Sequence, residues 1–275
     1  MENTEQATPA RNYVNYDFKG KKAIVFGIAN ERSIAWAIAQ ALHRGGAKLA
    51  FSYQGPNLER RIRPLAERVG AELCEQCDMT SDAELDAYFA KVRDKWDGVD
   101  YVIHSVAFAH RADLEGRFVN TSRDGFKHAL DVSAYTLLAA AQRAEPLMEG
   151  RNGSIIALTY AGSERVIPNY KVMGVAKAAL EASVRYLAHD MGGKKVRVNA
   201  ISAGPIKTLA ASGIANFKDM LKKYEEMVPL HEAVDQDDVA ELAAFLCSEG
   251  GRHITGQTLY VDSGAIIMGA SGSST

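Results

Sequence analysis

Tyr170 and Lys177 are the side chains best suited to chemistry. They fall in the stretch 154–191, which reads as one strand followed by one helix. Ser154-Ile155-Ile156-Ala157-Leu158-Thr159 is too short and too β-branched to be much besides a buried strand. Tyr160 and Ala161-Gly162-Ser163 end it, and Pro168-Asn169 lead into the helix, where Val172, Ala176, Leu180, Val184, Leu187 and Met191 form one apolar stripe. Seven residues make about two turns, so the spacing predicts that both side chains face the same way, roughly 10 Å apart along the axis. Gly174, between them, would leave that face open to an approaching molecule. A phenol and an ammonium on one open face suit a reaction that needs an acid and a cation to orient it. Alone, Tyr-x6-Lys occurs by chance in many helices and marks an amphipathic edge as readily as a site.

The surrounding elements decide between those meanings. Apolar strands are expected at 22–27, 47–52, 72–77, 100–105, 154–159, 196–201 and 258–261. Helices are expected at 33–44, 58–69 (kinked or split at Pro64), 83–96, 124–148, from 170 to 191, and 241–247. Regular alternation of short apolar strands with helices predicts one α/β domain, a parallel sheet of about seven strands with helices on both faces. Residues 1–18 are expected to be an extended arm and 269–275 a loose tail. The stretch 204–228 interrupts the alternation. Its Ala210-Ala211-Ser212-Gly213 start, followed by Phe217, Met220, Leu221 and Tyr224 at helical spacing, predicts a mobile substrate-binding lid.

Composition narrows the class. The 275 residues carry 32 basic and 34 acidic side chains, net −2, with no basic stripe to suit nucleic acid and no apolar run of membrane-spanning length. The polar N-terminus is unlike a secretion signal, so the cytoplasm is the expected location. Cys74 and Cys77 suggest a redox or metal pair, but positions three apart on a strand face opposite sides of a sheet. The histidines are scattered, and no metal site is expected.

A dinucleotide site is suggested by the first strand-to-helix turn, Gly27-Ile28-Ala29-Asn30-Glu31-Arg32-Ser33-Ile34-Ala35. It has one glycine where the dinucleotide fingerprint wants three, yet it retains the strand, the tight turn and the helix start whose free N–H groups attract phosphate; taken alone it reads equally well as a plain strand-to-helix turn. Ser33 could cap the helix or touch a phosphate oxygen. The second strand ends Phe51-Ser52-Tyr53-Gln54, without the acid expected to grip a ribose. Asp78 could reach an adenine amine, or cap the third helix.

Together these segments resemble the divergent branch of the short-chain dehydrogenase superfamily, and within it the bacterial enoyl-acyl-carrier-protein reductases. The resemblance rests on Gly27-Ile28-Ala29-Asn30 with Ser33-Ile34-Ala35, Gln76-Cys77-Asp78, His104-Ser105-Val106-Ala107-Phe108-Ala109, Pro168-Asn169-Tyr170-x6-Lys177, and Val198-Asn199-Ala200-Ile201-Ser202-Ala203-Gly204-Pro205-Ile206. Ordinary members carry Tyr-x3-Lys; here Met173 occupies that tyrosine's position.

The resemblance implies a doubly wound, Rossmann-type sheet and reduction of a trans-2-enoyl thioester on acyl carrier protein by NADH. It implies Tyr170 as the catalytic tyrosine, Lys177 as the ribose-binding lysine and Tyr160 as a second pocket tyrosine. Gly27, Ser33, Ile34, Gln54, Asp78, Met79, Ser105, Lys177, Ile206 and Thr208 would hold the cofactor, and Ala107, Phe108, Tyr160 and Met173 would line the substrate pocket. It further implies a homotetramer. Ala107 stands where many members have glycine, and His231-Glu232 where a basic pair is frequent. Two other readings are a ketone or alcohol dehydrogenase, which the missing Tyr-x3-Lys opposes, and a nucleotide sensor, which has no need of Tyr170 and Lys177 on one face.

Overall fold

The structure is a computed structural model and describes residues 11–206 and 217–269, with the side chains of 217–220 left aside. Seven strands form one parallel sheet: β1 (Lys22–Phe26), β2 (Lys48–Tyr53), β3 (Leu73–Gln76), β4 (Tyr101–His104), β5 (Ser154–Thr159), β6 (Arg197–Ala203) and β7 (Thr258–Val261). They run in the order β3-β2-β1-β4-β5-β6-β7. The order reverses between β1 and β4, where doubly wound sheets open a ligand crevice at the carboxyl ends of their strands.

Alternation along each strand divides the core in two. Ala23 and Val25 of β1 face one cluster with α1 (Ile34–Arg44), α2 (Gly55–Arg68) and α9 (Gln236–Cys247). Ile24 and Phe26 face the other, with α3 (Asp82–Lys95), α6 (Thr136–Met148) and α7 (Val172–Gly192). The inner strands are covered on both faces and so read as near-continuous apolar runs, while the edge strands β3 and β7 are half-buried. Cys74 joins the first cluster and Cys77 the second, so the sulfurs diverge; burial pushes their thiols up to about 11 and about 12.

Four boundaries differ from expectation. Helix α2 starts at Gly55 and runs unbroken through Pro64. Pro56 suits its first turn, and Ile62, Leu65 and Ala66 bury its apolar face, offsetting the hydrogen bond that Pro64 removes. Helix α9 starts at Gln236 because Asp235 and Asp238 form a reciprocal capping box. Its polar first turn carries no apolar period, which hid it. Residues 124–148 were expected as a single α-helix; they divide into α5 (Arg123–Leu130), a π-helical turn at Asp131–Tyr135, and α6. Helix α7 begins at Val172, two residues after Tyr170.

The described part of the arm is tied down. Arg11 makes two hydrogen bonds to Asp235 at 2.9 and 2.8 Å, and Phe18 is buried in the core. Of the expected lid, 207–216, with Ala210 to Gly213, lie outside the described residues; α8 (Phe217–Met227) is present, and its Tyr224 hydroxyl donates to the Asp262 carbonyl at 2.6 Å.

Candidate active site

Tyr170 reaches the site by a different route from the one its spacing predicts. It lies in a turn before α7, flanked by positive φ at Asn169 (63°) and Lys171 (40°). Such backbone costs about 1–3 kcal/mol per residue and persists only where the surroundings impose it. One tie is local: the Lys171 ammonium donates to the Gly116 carbonyl. The Tyr170 ring lies over Gly162, where a Cβ would come within 2.3 Å of it. It meets the Tyr160 ring edge-on, with centroids 4.9 Å apart. Gly174 serves a different end from the one expected: a Cβ there would stand 2.5 Å from the Gly162 carbonyl oxygen, so the chain's own turn fills that space.

Lys177 extends from α7 to the same strand end and donates to the Leu158 carbonyl at 2.6 Å. Tyr170 and Lys177 therefore converge on the carboxyl end of β5, one on its last turn of strand and the other on the residues just beyond. Lys177 is buried, which lowers its ammonium to about 8; Glu181, one turn along, pulls the other way. Glu181 accepts from the Thr159 hydroxyl at 2.5 Å. Burial pushes the Tyr170 phenol above its ordinary value, with Tyr160 and Glu181 adding to the shift, and burial raises Tyr160 as well. Both phenols thus remain hydrogen-bond donors at neutral pH.

The opposite wall comes from β4 and the residues after it. Gly27 has φ 93°, and a Cβ there would stand 2.1 Å from the Ser105 carbonyl oxygen, so the glycine permits β1 and β4 to close on each other at the crevice. His104 is fully buried and its Nε2 lies 2.8 Å from the Thr136 hydroxyl. That hydroxyl donates to the Val132 carbonyl at 2.6 Å, so Nε2 carries the proton. Burial, then the charge of Lys177, push His104 down to about 3, which keeps it neutral.

Ser133, on the π turn, holds the pocket wall. Its hydroxyl accepts from Phe108 N–H at 3.0 Å, faces the Phe108 carbonyl at 3.2 Å and lies 3.7 Å from the Met173 sulfur. A π turn inside an α-helix often marks a functional site. Ser133→Ala is expected to cost about 1–3 kcal/mol, the price of unpaired buried polar groups. Thermal unfolding reads that loss, and faster amide exchange at Phe108 distinguishes a released wall from general destabilisation. Phe108 itself is 49% exposed and packs edge-on against His110 and His128; Ala107 is also exposed, whereas Met173 is buried.

The phosphate side fits a dinucleotide. Ser33 neither caps α1 nor stands free: its hydroxyl accepts from Ala29 and Asn30 N–H, both at 3.0 Å, and so folds the loop. The Ile34 and Ala35 N–H groups consequently find no acceptor among the described residues and remain for an anion. Lys177 spends one of its three N–H bonds on Leu158, leaving two for hydroxyls. Asp78 does not cap α3, which Ser81 does; it accepts from Gln54 at 2.6 Å and from Thr80. Burial opposes its charge, but these bonds together hold it below the ordinary carboxylate value. Met79 is buried in the second core beneath this edge, Ile206 is buried in the first core beyond the end of β6, across the crevice, and Thr208 lies outside the described residues.

Comparison with known proteins agrees with this geometry. A family model described as enoyl-(acyl carrier protein) reductase matches residues 27–265. The NADH-dependent enoyl-acyl-carrier-protein reductase of Rickettsia prowazekii is 49% identical over 253 residues, 92% of this chain and 97% of that protein. The Bacillus cereus reductase, solved with NADP+ and an indole naphthyridinone, superposes with a TM-score of 0.90 at 49% identity, covering 92% of this chain and 99% of that one. The reductase of Anaplasma phagocytophilum, solved with NAD, gives 0.88 at 40% identity, covering 94% and 97%.

Proposed function

The chain belongs to the enoyl-(acyl carrier protein) reductase family, and from that membership and the site's geometry we propose how its residues do the family's work. It is an NADH-dependent oxidoreductase of fatty-acid elongation, reducing the carbon–carbon double bond of trans-2-enoyl thioesters on acyl carrier protein in the cycle's last step. NADH supplies the hydride that goes to the thioester β-carbon.

Negative charge then develops on the thioester oxygen as an enolate, which collapses to the saturated thioester when a proton drawn from solvent is added at the α-carbon. Tyr170 donates a hydrogen bond to that oxygen; one such preorganised donor contributes about 3 kcal/mol in the transition state. Lys177 holds the nicotinamide ribose hydroxyls with its two remaining N–H bonds, and its charge favours the developing anion. Gly27, Ser105 and the α1 N-terminus cradle the pyrophosphate side, with Ser33 shaping the loop. Gln54 and Asp78 receive the adenosine, backed by Ile34 and Met79, while Ile206, which follows β6 on the other side of the crevice, and Thr208 are assigned to the rest of the cofactor. Tyr160, Ala107, Phe108 and Met173 line the acyl pocket. The convergence of Tyr170 and Lys177 on the end of β5 carries this reading. Mixing the protein with NADH and crotonyl thioester tests it: nicotinamide absorbance falls if the reading holds, and oxidation only with a β-ketoacyl thioester contradicts it.

We further propose one domain, a homotetramer and a cytoplasmic location. The exposed Tyr135, on the π turn that leads into α6, and Tyr186 on α7, 53% and 76% accessible, support assembly through these helices. Sedimentation giving the mass of one chain would oppose it. Among the described residues no helix is long and apolar enough to cross a membrane.

NADH is expected to give a higher kcat/KM than NADPH. A 2′-phosphate needs arginine or lysine at the end of β2. That edge presents Gln54, bonded to the ionised Asp78, while Arg63 is engaged by Glu59 and Tyr53. Arg60 and Arg61 are exposed further along α2. Steady-state kinetics with both cofactors decide, and a higher value with NADPH would assign one of those arginines to the phosphate.

A further inference from the structure

The thioester arrives on an acidic carrier protein, whose phosphate-linked arm requires docking beside the pocket mouth. The pair expected to be basic, at 231–232, is His231-Glu232. The neighbouring stretch 217–227 carries Lys218, Lys222 and Lys223 against Asp219, Glu225 and Glu226, so it offers no net charge. The strap between β4 and α5 differs. Arg111 is paired with Glu115, but Arg117, Arg123 and Lys127 are exposed and make no ion pair among the described residues. The exposed acids close to them in sequence are Glu115, engaged by Arg111, and Asp124, while Asp113 is buried.

The strap is built rigidly. Asp113 accepts from Ser122 N–H at 2.9 Å, and a Cβ on Gly125 would collide with its carboxylate, so the strap's start is packed onto α5. Lys171, the residue after Tyr170, ties the Gly116 carbonyl to the catalytic turn. Beside this anchor, Thr121, Ser122, Arg123, Phe126 and Lys127 line a groove of about 310 Å³. Phe118 and Val119 stand 49% and 73% exposed next to it.

We propose that the acyl carrier protein docks on the strap 111–127, with Arg117, Arg123 and Lys127 meeting its acidic surface and the exposed aromatic residues its apolar contacts. This rests on the enoyl-reductase reading above. Basic side chains on a rigid rim raise the encounter rate with an acidic partner and lose that effect in salt.

The test is the triple charge reversal Arg117→Glu, Arg123→Glu, Lys127→Glu, assayed with one enoyl group on acyl carrier protein and on N-acetylcysteamine. The expected result is a fall of about tenfold or more in kcat/KM for the carrier-linked substrate at low salt, shrinking as salt rises. The N-acetylcysteamine thioester is reduced at the parental rate. An unchanged carrier-linked value, an equal loss on both substrates, or a greater loss from Lys222→Glu with Lys223→Glu overturns the proposal. Failure of the parent to reduce either thioester would instead refute the enoyl-reductase reading.

Discussion

Tyr170→Phe is expected to slow hydride transfer by about 10²–10³-fold, the effect of removing one preorganised donor at an oxyanion, while leaving NADH affinity nearly unchanged. The enolate exists only at and beyond the transition state, so the hydroxyl's contribution is absent from the ground state. The ring survives the substitution and keeps its packing over Gly162 and against Tyr160. Tyr160 is the residue that can blunt the effect. Its ring lies 4.9 Å from that of Tyr170, and its phenol is likewise held protonated. A loss under about tenfold, well short of a full donor's worth, would give Tyr160 a share of the oxygen. The double replacement would then be severe where each single one is mild.

Lys177→Ala is expected to weaken NADH binding by about tenfold to a hundredfold, from about 1.5–3 kcal/mol for a charge-assisted hydrogen bond. It should also slow turnover at saturating cofactor, because the nicotinamide loses its orientation. Titration of the lysine offers a second reading. Burial has lowered the ammonium from 10.5 to about 8, so the charged form that grips the ribose is full below that value and is lost above it. NADH affinity of the parent should therefore fall as pH rises through about 8, whereas Lys177→Ala shows no such step. A parental affinity flat from pH 7 to well above about 8 would show that the ribose contact does not depend on the charge.

Much of this was legible in the chain because parallel strands covered on both faces are near-continuous apolar runs, and β5 lies where such a run predicts; the half-buried edge strand β7 also falls at its expected residues. The divergence of Cys74 and Cys77 followed from strand period alone. The path of Tyr170 was not legible. Helical spacing places it on α7, but positive φ at Asn169 and Lys171 puts it in a turn, and that backbone is held by packing on Gly162 and by the Lys171 bond to the Gly116 carbonyl, which spacing does not reveal. Ser133 left no trace either, since a π turn adds one residue to an apolar helix without altering its composition. His104 stood inside a quoted segment, yet its neutral state comes from burial beside Lys177, which sequence order does not reveal. Glu181 was within reach: it lies four residues after Lys177 and thus on the same helix face.

Tyr170 is assigned to the reacting oxygen and Lys177 to the cofactor. NADH titration of both variants beside single-turnover hydride transfer tests this assignment most directly. Tyr170→Phe is expected to bind NADH like the parent and transfer hydride slowly, and Lys177→Ala to bind NADH weakly. NADH binding abolished by Tyr170→Phe and intact in Lys177→Ala would contradict it.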